Sequence, residues 1–197
     1  MEISAEMVKD LRQQSGAGIM ECKNALKETH GDIEEAVTFL RKKGLAKAEQ
    51  KAGRETGDGM VCSYIHPGSK IGVLAQVLCE TDFVAKTDDF RALVHDILLH
   101  IAMANPLCID KDDLPSESLS KEENLFREQA LKEGKPENIV DKVVAGKIDK
   151  YYKQVCLLRQ PFVKDEDQTI QDLINNAIAK FGENIVVHRF VRFELGQ

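Results

Sequence analysis

The sequence predicts an α+β fold: a compact helical module first, then a small antiparallel sheet of about three strands packed against helices. Three observations carry that prediction. Over about the first 45 residues, apolar side chains recur at helical spacing in short runs separated by glycines. Two apolar runs at 60–66 and 71–78 flank a Pro-Gly break, the signature of a hairpin. A last strand-like run at 185–193 follows several strongly amphipathic helical patterns.

Each element has a local cause. Ser4 is a good N-cap, and Ile3, Met7, Val8 and Leu11 make an apolar stripe for a first helix, which Ser15-Gly16-Ala17-Gly18 breaks. A second helix is expected over about 19–29, ended by His30-Gly31. Asp32 and Glu35 make a capping-box-like start for a third. Ile33, Ala36, Val37 and Leu40 line its inner face, and Gly44 is expected to stop it. Three short helices in so few residues resemble a ubiquitin-associated-type (UBA-like) module, with a core near the lower limit for independent stability. Polar residues with Gly53, Gly57 and Gly59 then read as a linker. The expected organisation is a UBA-like module at 1–46, a linker at 47–58 and an α+β core and dimerisation domain at 59–197.

Downstream, strands at 60–66 and 71–78 are joined by His66-Pro67-Gly68-Ser69-Lys70. Phe90, Leu93, Val94, Ile97, Leu98 and Ile101 predict a helix that Asn105-Pro106 ends. Residues 110–120 read as an acidic loop, with Ser120 and Glu123 as a capping box for the next helix. Gly134 closes that helix. Pro136 then opens another, whose expected core face is Ile139, Val140, Val143, Val144 and Ile148. Residues 155–163 read as extended. Ile170, Leu173, Ile174, Ala177, Ile178 and Phe181 predict a final helix stopping at Gly182.

Hydrophobic residues make up 43% and charged residues 30% of the 197, the profile of an ordinary globular protein. No apolar run reaches the ~18 residues a membrane helix needs. The start of the chain has neither a basic stretch nor an apolar one, so a cytoplasmic protein is expected. Its five scattered cysteines, with no CxxC pair, fit reduced thiols better than a disulfide framework. Residues 1–56 carry ten basic and ten acidic side chains, so the net charge of −6 belongs to the rest. Within 41–54 lie six basic residues against one acidic. A solvated helix face accounts for them, and the absence of interleaved aromatics argues against a single-stranded nucleic-acid patch.

Catalytic chemistry finds little support. Phosphate-binding glycine motifs are missing, and His95 and His100 do not share a helix face as HExxH ligands would. Asp110-Lys111-Asp112-Asp113 starts like a calcium loop but lacks its central Gly and terminal Glu. No cofactor, no metal and no enzymatic activity are expected.

The most informative stretch is Cys79-Glu80-Thr81-Asp82-Phe83-Val84-Ala85-Lys86, which sets an acid beside a bulky aromatic where a buried strand ends. One reading makes Thr81 or Asp82 a helix cap and Phe83 a core anchor. The other exposes Phe83 as a wedge, with Asp82 as an electrostatic probe, because aromatic residues dominate binding hot spots. This turn, the start Leu11-Arg12…Gly16-Ala17-Gly18-Ile19-Met20-Glu21-Cys22-Lys23, the run Ala36–Ala46 and Phe181-Gly182-Glu183-Asn184-Ile185 together resemble the elongation factor Ts family in a short, single-core form. The resemblance covers nearly the whole chain and favours the second reading.

That resemblance implies a guanine-nucleotide exchange factor for elongation factor Tu that accelerates GDP release during translation elongation. It implies that Asp82 and Phe83 intrude near the partner's Mg²⁺ and phosphate site, with Thr81 and Val84 in the same turn. Arg12, Met20 and Lys23 match N-terminal positions that meet the partner. Phe181 and Gly182 match a contact that is usually Ile/Val-Gly. The core motifs occur once here and twice in longer members of the family, so a noncovalent homodimer near the closing strand is expected. No nucleotide, membrane or specific nucleic acid is expected to bind directly. An adaptor for a ubiquitin-like or nascent-chain partner, and an RNA-binding module using 41–54, are the competing readings.

Overall fold

A computed structural model describes residues 3–196, so Met1, Glu2 and Gln197, the ends of the expected module and core, lie outside it. The described chain is a mixed helix-and-sheet fold with a three-stranded antiparallel sheet. In order it runs α1 (Ala5–Ser15), α2 (Ile19–Glu28), α3 (Ile33–Lys51), β1 (Asp58–Ile65), β2 (Ile71–Cys79), α4 (Asp82–Ala85) and α5 (Asp88–Ala104). It continues with α6 (Ser116–Lys132), α7 (Glu137–Val155), β3 (Pro161–Phe162), β4 (Asp165–Thr169), α8 (Ile170–Phe181) and β5 (Ile185–Glu194). The three-stranded sheet has the order β1-β2-β5, and β3 pairs antiparallel with β4 in a separate two-stranded piece.

The chain forms two units. The first takes the residues through Ser63, then Leu74–Asp96 and Asp172–Phe190. Its N-terminal helices begin at side-chain caps: the Met7 N–H donates to Ser4 Oγ at 3.2 Å, and the Glu35 N–H donates to Asp32 Oδ1 at 2.8 Å. Leu11, Cys22, Ala25, Leu26 and Ala36 are fully buried between α1, α2 and α3, with Ile33, Val37 and Leu40 packed against them. At Gly59, φ is +141°, and a Cβ there would stand 2.7 Å from the Leu78 Cα, so only glycine lets β1 approach β2 at this point. Across the sheet, Arg189 Nε of β5 donates to Gln76 Oε1 of β2 at 3.0 Å.

The second unit takes Tyr64–Val73, Ile97–Gln171 and the chain from Val191. Antiparallel α6 and α7 enclose Ala130, Val140, Val144 and Ile148. His100 is fully buried there. The Val163 N–H donates to its Nδ1 at 3.3 Å, so the proton sits on Nε2, which donates to Gln160 Oε1 at 2.9 Å. Burial holds its pKa below the ordinary value despite the bond to Gln160.

Four local expectations need correction. Gly44 does not stop the third helix, which runs on to Lys51 and ends at Ala52-Gly53. A Cβ on Gly44 would lie 3.7 Å from Ala179 Cβ, an ordinary contact distance. Ser120 and Glu123 do not open a helix: Pro115 already sets the backbone, and α6 starts at Ser116, after a single 3-10 turn at Lys111–Asp113 whose capping box is Asp110 with Asp113. Residues 155–163 are not one extended segment. Val155 ends α7, a 3-10 turn occupies Leu157–Arg159, and only Pro161–Phe162 form a strand. Ile139 is exposed rather than core, while Val140, Val144 and Ile148 are buried.

Candidate functional site

The turn after β2 is built by polar ties on one side and exposes its aromatic on the other. Cys79 closes the strand fully buried, and its Sγ donates to the Thr81 carbonyl at 3.2 Å. Burial, together with the Glu183 carboxylate, pushes this thiol up to about 11, so it is no nucleophile at neutral pH. Thr81 stands at the N-cap of α4, but its side chain does not cap. Instead its N–H donates to Glu183 Oε2 at 3.0 Å and its hydroxyl to Glu183 Oε1 at 2.6 Å. One carboxylate thus takes both donors of one residue.

A second tie lies beside the first. Glu80 Oε1 accepts the Asn184 N–H at 2.7 Å, and Glu80 Oε2 stands 3.5 Å from Arg54 Nη1. The Asn184 amide donates to the Arg54 carbonyl at 2.9 Å. The Asn184 N–H and, behind it, Arg54 hold the Glu80 carboxyl below the usual carboxylate range.

Beyond these ties the chain makes a single helical turn. Val84 and Ala85 are buried beneath it, whereas Phe83 is 82% exposed. Asp82 Oδ2 pairs with Lys86 Nζ at 2.5 Å, and the bonded ammonium lowers the Asp82 carboxyl while the carboxylate raises the lysine. The Thr87 hydroxyl, accepting the Phe90 N–H at 3.2 Å, then starts α5. Phe90 is fully buried, edge-on to Phe181 with ring centroids 6.3 Å apart. Phe181 ends α8, and Gly182, at φ +74°, turns the chain so that Glu183 and Asn184 face Thr81 and Glu80.

All nine residues expected to meet a partner fall in the first unit, in two groups. Met20 (67% exposed) and Lys23 share a face of α2, and Arg12 lies in the last turn of α1, also exposed. Thr81, Asp82, Phe83 and Val84 form the second group with Phe181 and Gly182. Of these, Phe83 presents a large apolar surface, while Val84 packs inward. Sequence reasoning missed Glu80, Glu183 and Asn184, which hold the turn; the only signal was an acid–amide pair directly after a helix-stopping glycine.

Three of the six cations in the basic stretch are in ion pairs: Arg41 with Asp172 at 2.7 Å, Lys47 with Glu21, and Arg54 with Glu80. Among the described residues no group of three or more His, Cys, Asp or Glu could hold a metal ion. No helix among them is long and apolar enough to cross a membrane. A cleft of about 520 Å³ in the second unit is lined by charges that pair with one another, Arg127 with Asp141 at 2.7 Å, and by Arg159, which is bound to Asp110 at 2.8 Å.

The family model described as "Elongation factor TS" matches residues 1–197. Among similar proteins named elongation factor Ts, that of Heliobacterium modesticaldum is 56% identical over 195 residues, covering 99% of this chain and 91% of its own. That of Moorella thermoacetica is 55% identical, with coverage of 99% and 96%. That of Desulforamulus reducens is 56% identical over 196 residues, with coverage of 100% and 90%.

Proposed function

The chain belongs to the elongation factor Ts family, and from that premise we propose that it is the guanine-nucleotide exchange factor of a GTPase, elongation factor Tu, in translation elongation. The observation that carries this reading is Phe83, a large aromatic left 82% exposed on a turn anchored from behind. An apolar ring that the fold leaves in water is suited to insertion into a partner. Arg12, Met20 and Lys23 grip the same partner, and Asp82 disfavours the nucleotide's phosphates and competes for their Mg²⁺.

The mechanism is linkage. A wedge that displaces an element holding GDP–Mg²⁺ weakens GDP binding, and GDP weakens the factor's grip by the same factor. A coupling of about 3 kcal/mol corresponds to roughly a hundredfold. Release can accelerate by more, because kinetic effects need not share that symmetry. No covalent bond is made or broken, and the factor itself holds no nucleotide, metal or cofactor in this reading. The protein then acts in the cytoplasm.

The N-terminal helices, with α3 running to Lys51, act as a UBA-like module, residues 52–58 as the connection to it, and the chain from 59 as the core. The core forms a homodimer near its closing strand. β5 lies at the edge of the sheet, and Phe193 (68%) and Leu195 (73%) are exposed in the second unit. Sedimentation at micromolar concentration should give a dimer; monomer alone would remove that part.

The test is stopped-flow release of a fluorescent GDP from elongation factor Tu. The native chain should speed it by orders of magnitude. Unchanged release would discard the exchange reading and favour an adaptor role.

A further inference from the structure

We propose that Glu183 and Asn184 are positioning residues for exchange, clamping the β2–α4 junction so that Phe83 is held ready to insert. The proposal rests on the exchange reading above. It concerns two residues that touch no reacting group and act through Thr81 and Glu80.

The geometry is a two-point buckle between segments more than a hundred positions apart. Thr81 gives both its donors to Glu183, at 3.0 and 2.6 Å, and Glu80 takes the Asn184 N–H at 2.7 Å. Asn184 reaches on to the Arg54 carbonyl at 2.9 Å, tying in the chain that leads into β1. Bonds to a carboxylate are shorter and about twice as strong as those between neutral groups.

The turn needs such backing. α4 has four residues, far below the length at which a helix holds itself in water. Phe83 contributes little to the core, so its direction comes from the anchor at Thr81 and from Val84 and Ala85 packed beneath. A turn left free would have to be ordered while the partner is being deformed, which costs conformational entropy at every residue fixed. That cost falls on the step that expels GDP. Docking through Arg12, Met20 and Lys23 is spared.

Glu183→Ala should therefore lower the maximal rate of GDP release at saturating factor about tenfold, with little change in the half-saturating concentration. Glu183→Gln, which keeps one acceptor oxygen, should recover part of the loss. Thr81→Val, which lacks the hydroxyl donor to Glu183, should be impaired as well. Hydrogen–deuterium exchange of the free chain supplies a readout that needs no partner: in Glu183→Ala, amides at 81–86 should exchange faster while those of α1–α3 stay as protected as in the native chain.

Unchanged protection at 81–86 would overturn the proposal. A raised half-saturating concentration at full maximal rate would overturn it too, as would a general loss of protection that Glu183→Gln fails to rescue. If the native chain speeds no GDP release from elongation factor Tu, the exchange reading falls, and the hydrogen-exchange comparison still decides whether the clamp holds the turn.

Discussion

Two junctions in this protein join segments remote in sequence, and they do it with opposite chemistry. At the β2–α4 turn, carboxylates and an amide hold backbone at the surface, and the product is an exposed ring, Phe83. Where α7 ends in the second unit, Cys156 lies beside Cys108 with sulfurs 3.5 Å apart, both buried, and the Leu157 N–H donates to the Cys108 carbonyl at 2.9 Å. Burial, then the bond to Cys156, pushes the Cys108 thiol up to about 12. The second junction closes the base of the α6–α7 hairpin with both thiols buried. A dry junction secures the fold; a polar one, strong in direction and tolerant of water, can aim a side chain.

The sharpest break of this comparison uses two phenylalanines seven residues apart. Phe90 is fully buried against Phe181, so Phe90→Ala should cost about 3–5 kcal/mol in urea unfolding. Phe83→Ala should change stability by no more than about 0.5 kcal/mol, and a large loss would mean that the ring is part of the core after all.

Next comes an acid limb confined to the buried side. His100 has a folded pKa lowered from 6.5, so near and below that value the unfolded state binds more protons, and stability rises with pH. The His100 contribution is complete above about 6.5 and is lost as pH falls from there toward the lowered folded value. Protonating Nδ1 would also turn the acceptor of the Val163 N–H into a donor. Urea midpoints between pH 7.5 and 5 should fall for the native chain and stay flatter for His100→Gln; equal slopes would contradict this. The lowered carboxyls of Glu80 and Asp110 act only at more acid pH, where their protonation releases the Asn184 and Arg159 bonds.

A smaller effect belongs to the helical module. Asp32→Ala removes the cap on the Glu35 N–H and should cost about 1 kcal/mol, read by thermal unfolding. The smallest is Lys86→Ala. Its bond to Asp82 is solvent-exposed, and the melting temperature should not move measurably.

Local signals were legible because their partners lie within a few residues. Ser4 with Met7 and Asp32 with Glu35 are complete in four-residue windows, and the hairpin at His66–Lys70 announces itself through Pro67 and Gly68. What escaped depends on distant chain. Gly44 looks like a stop, yet α3 runs on past it to Lys51. Ser120 with Glu123 makes a sound capping pattern that Pro115 pre-empts five residues earlier. The polar strand Asp165–Thr169 has no apolar alternation to reveal it and exists through pairing with Pro161–Phe162.

The site was legible to the same extent. An acid beside an aromatic at a strand end marked the turn. The residues alone left Phe83 open between a core anchor and an exposed wedge, and the family resemblance favoured the exposed ring that the structure has. Glu183 could not be assigned from the chain, because its role is defined by Thr81, more than a hundred residues before it.

The most direct test of the account compares GDP release from elongation factor Tu driven by the native chain and by Asp82→Ala/Phe83→Ala, with melting temperatures taken on both. The account predicts native stability in the double variant together with the loss of most of the acceleration. A double variant that releases GDP as fast as the native chain would contradict it, and the exposed turn would then have no part in exchange.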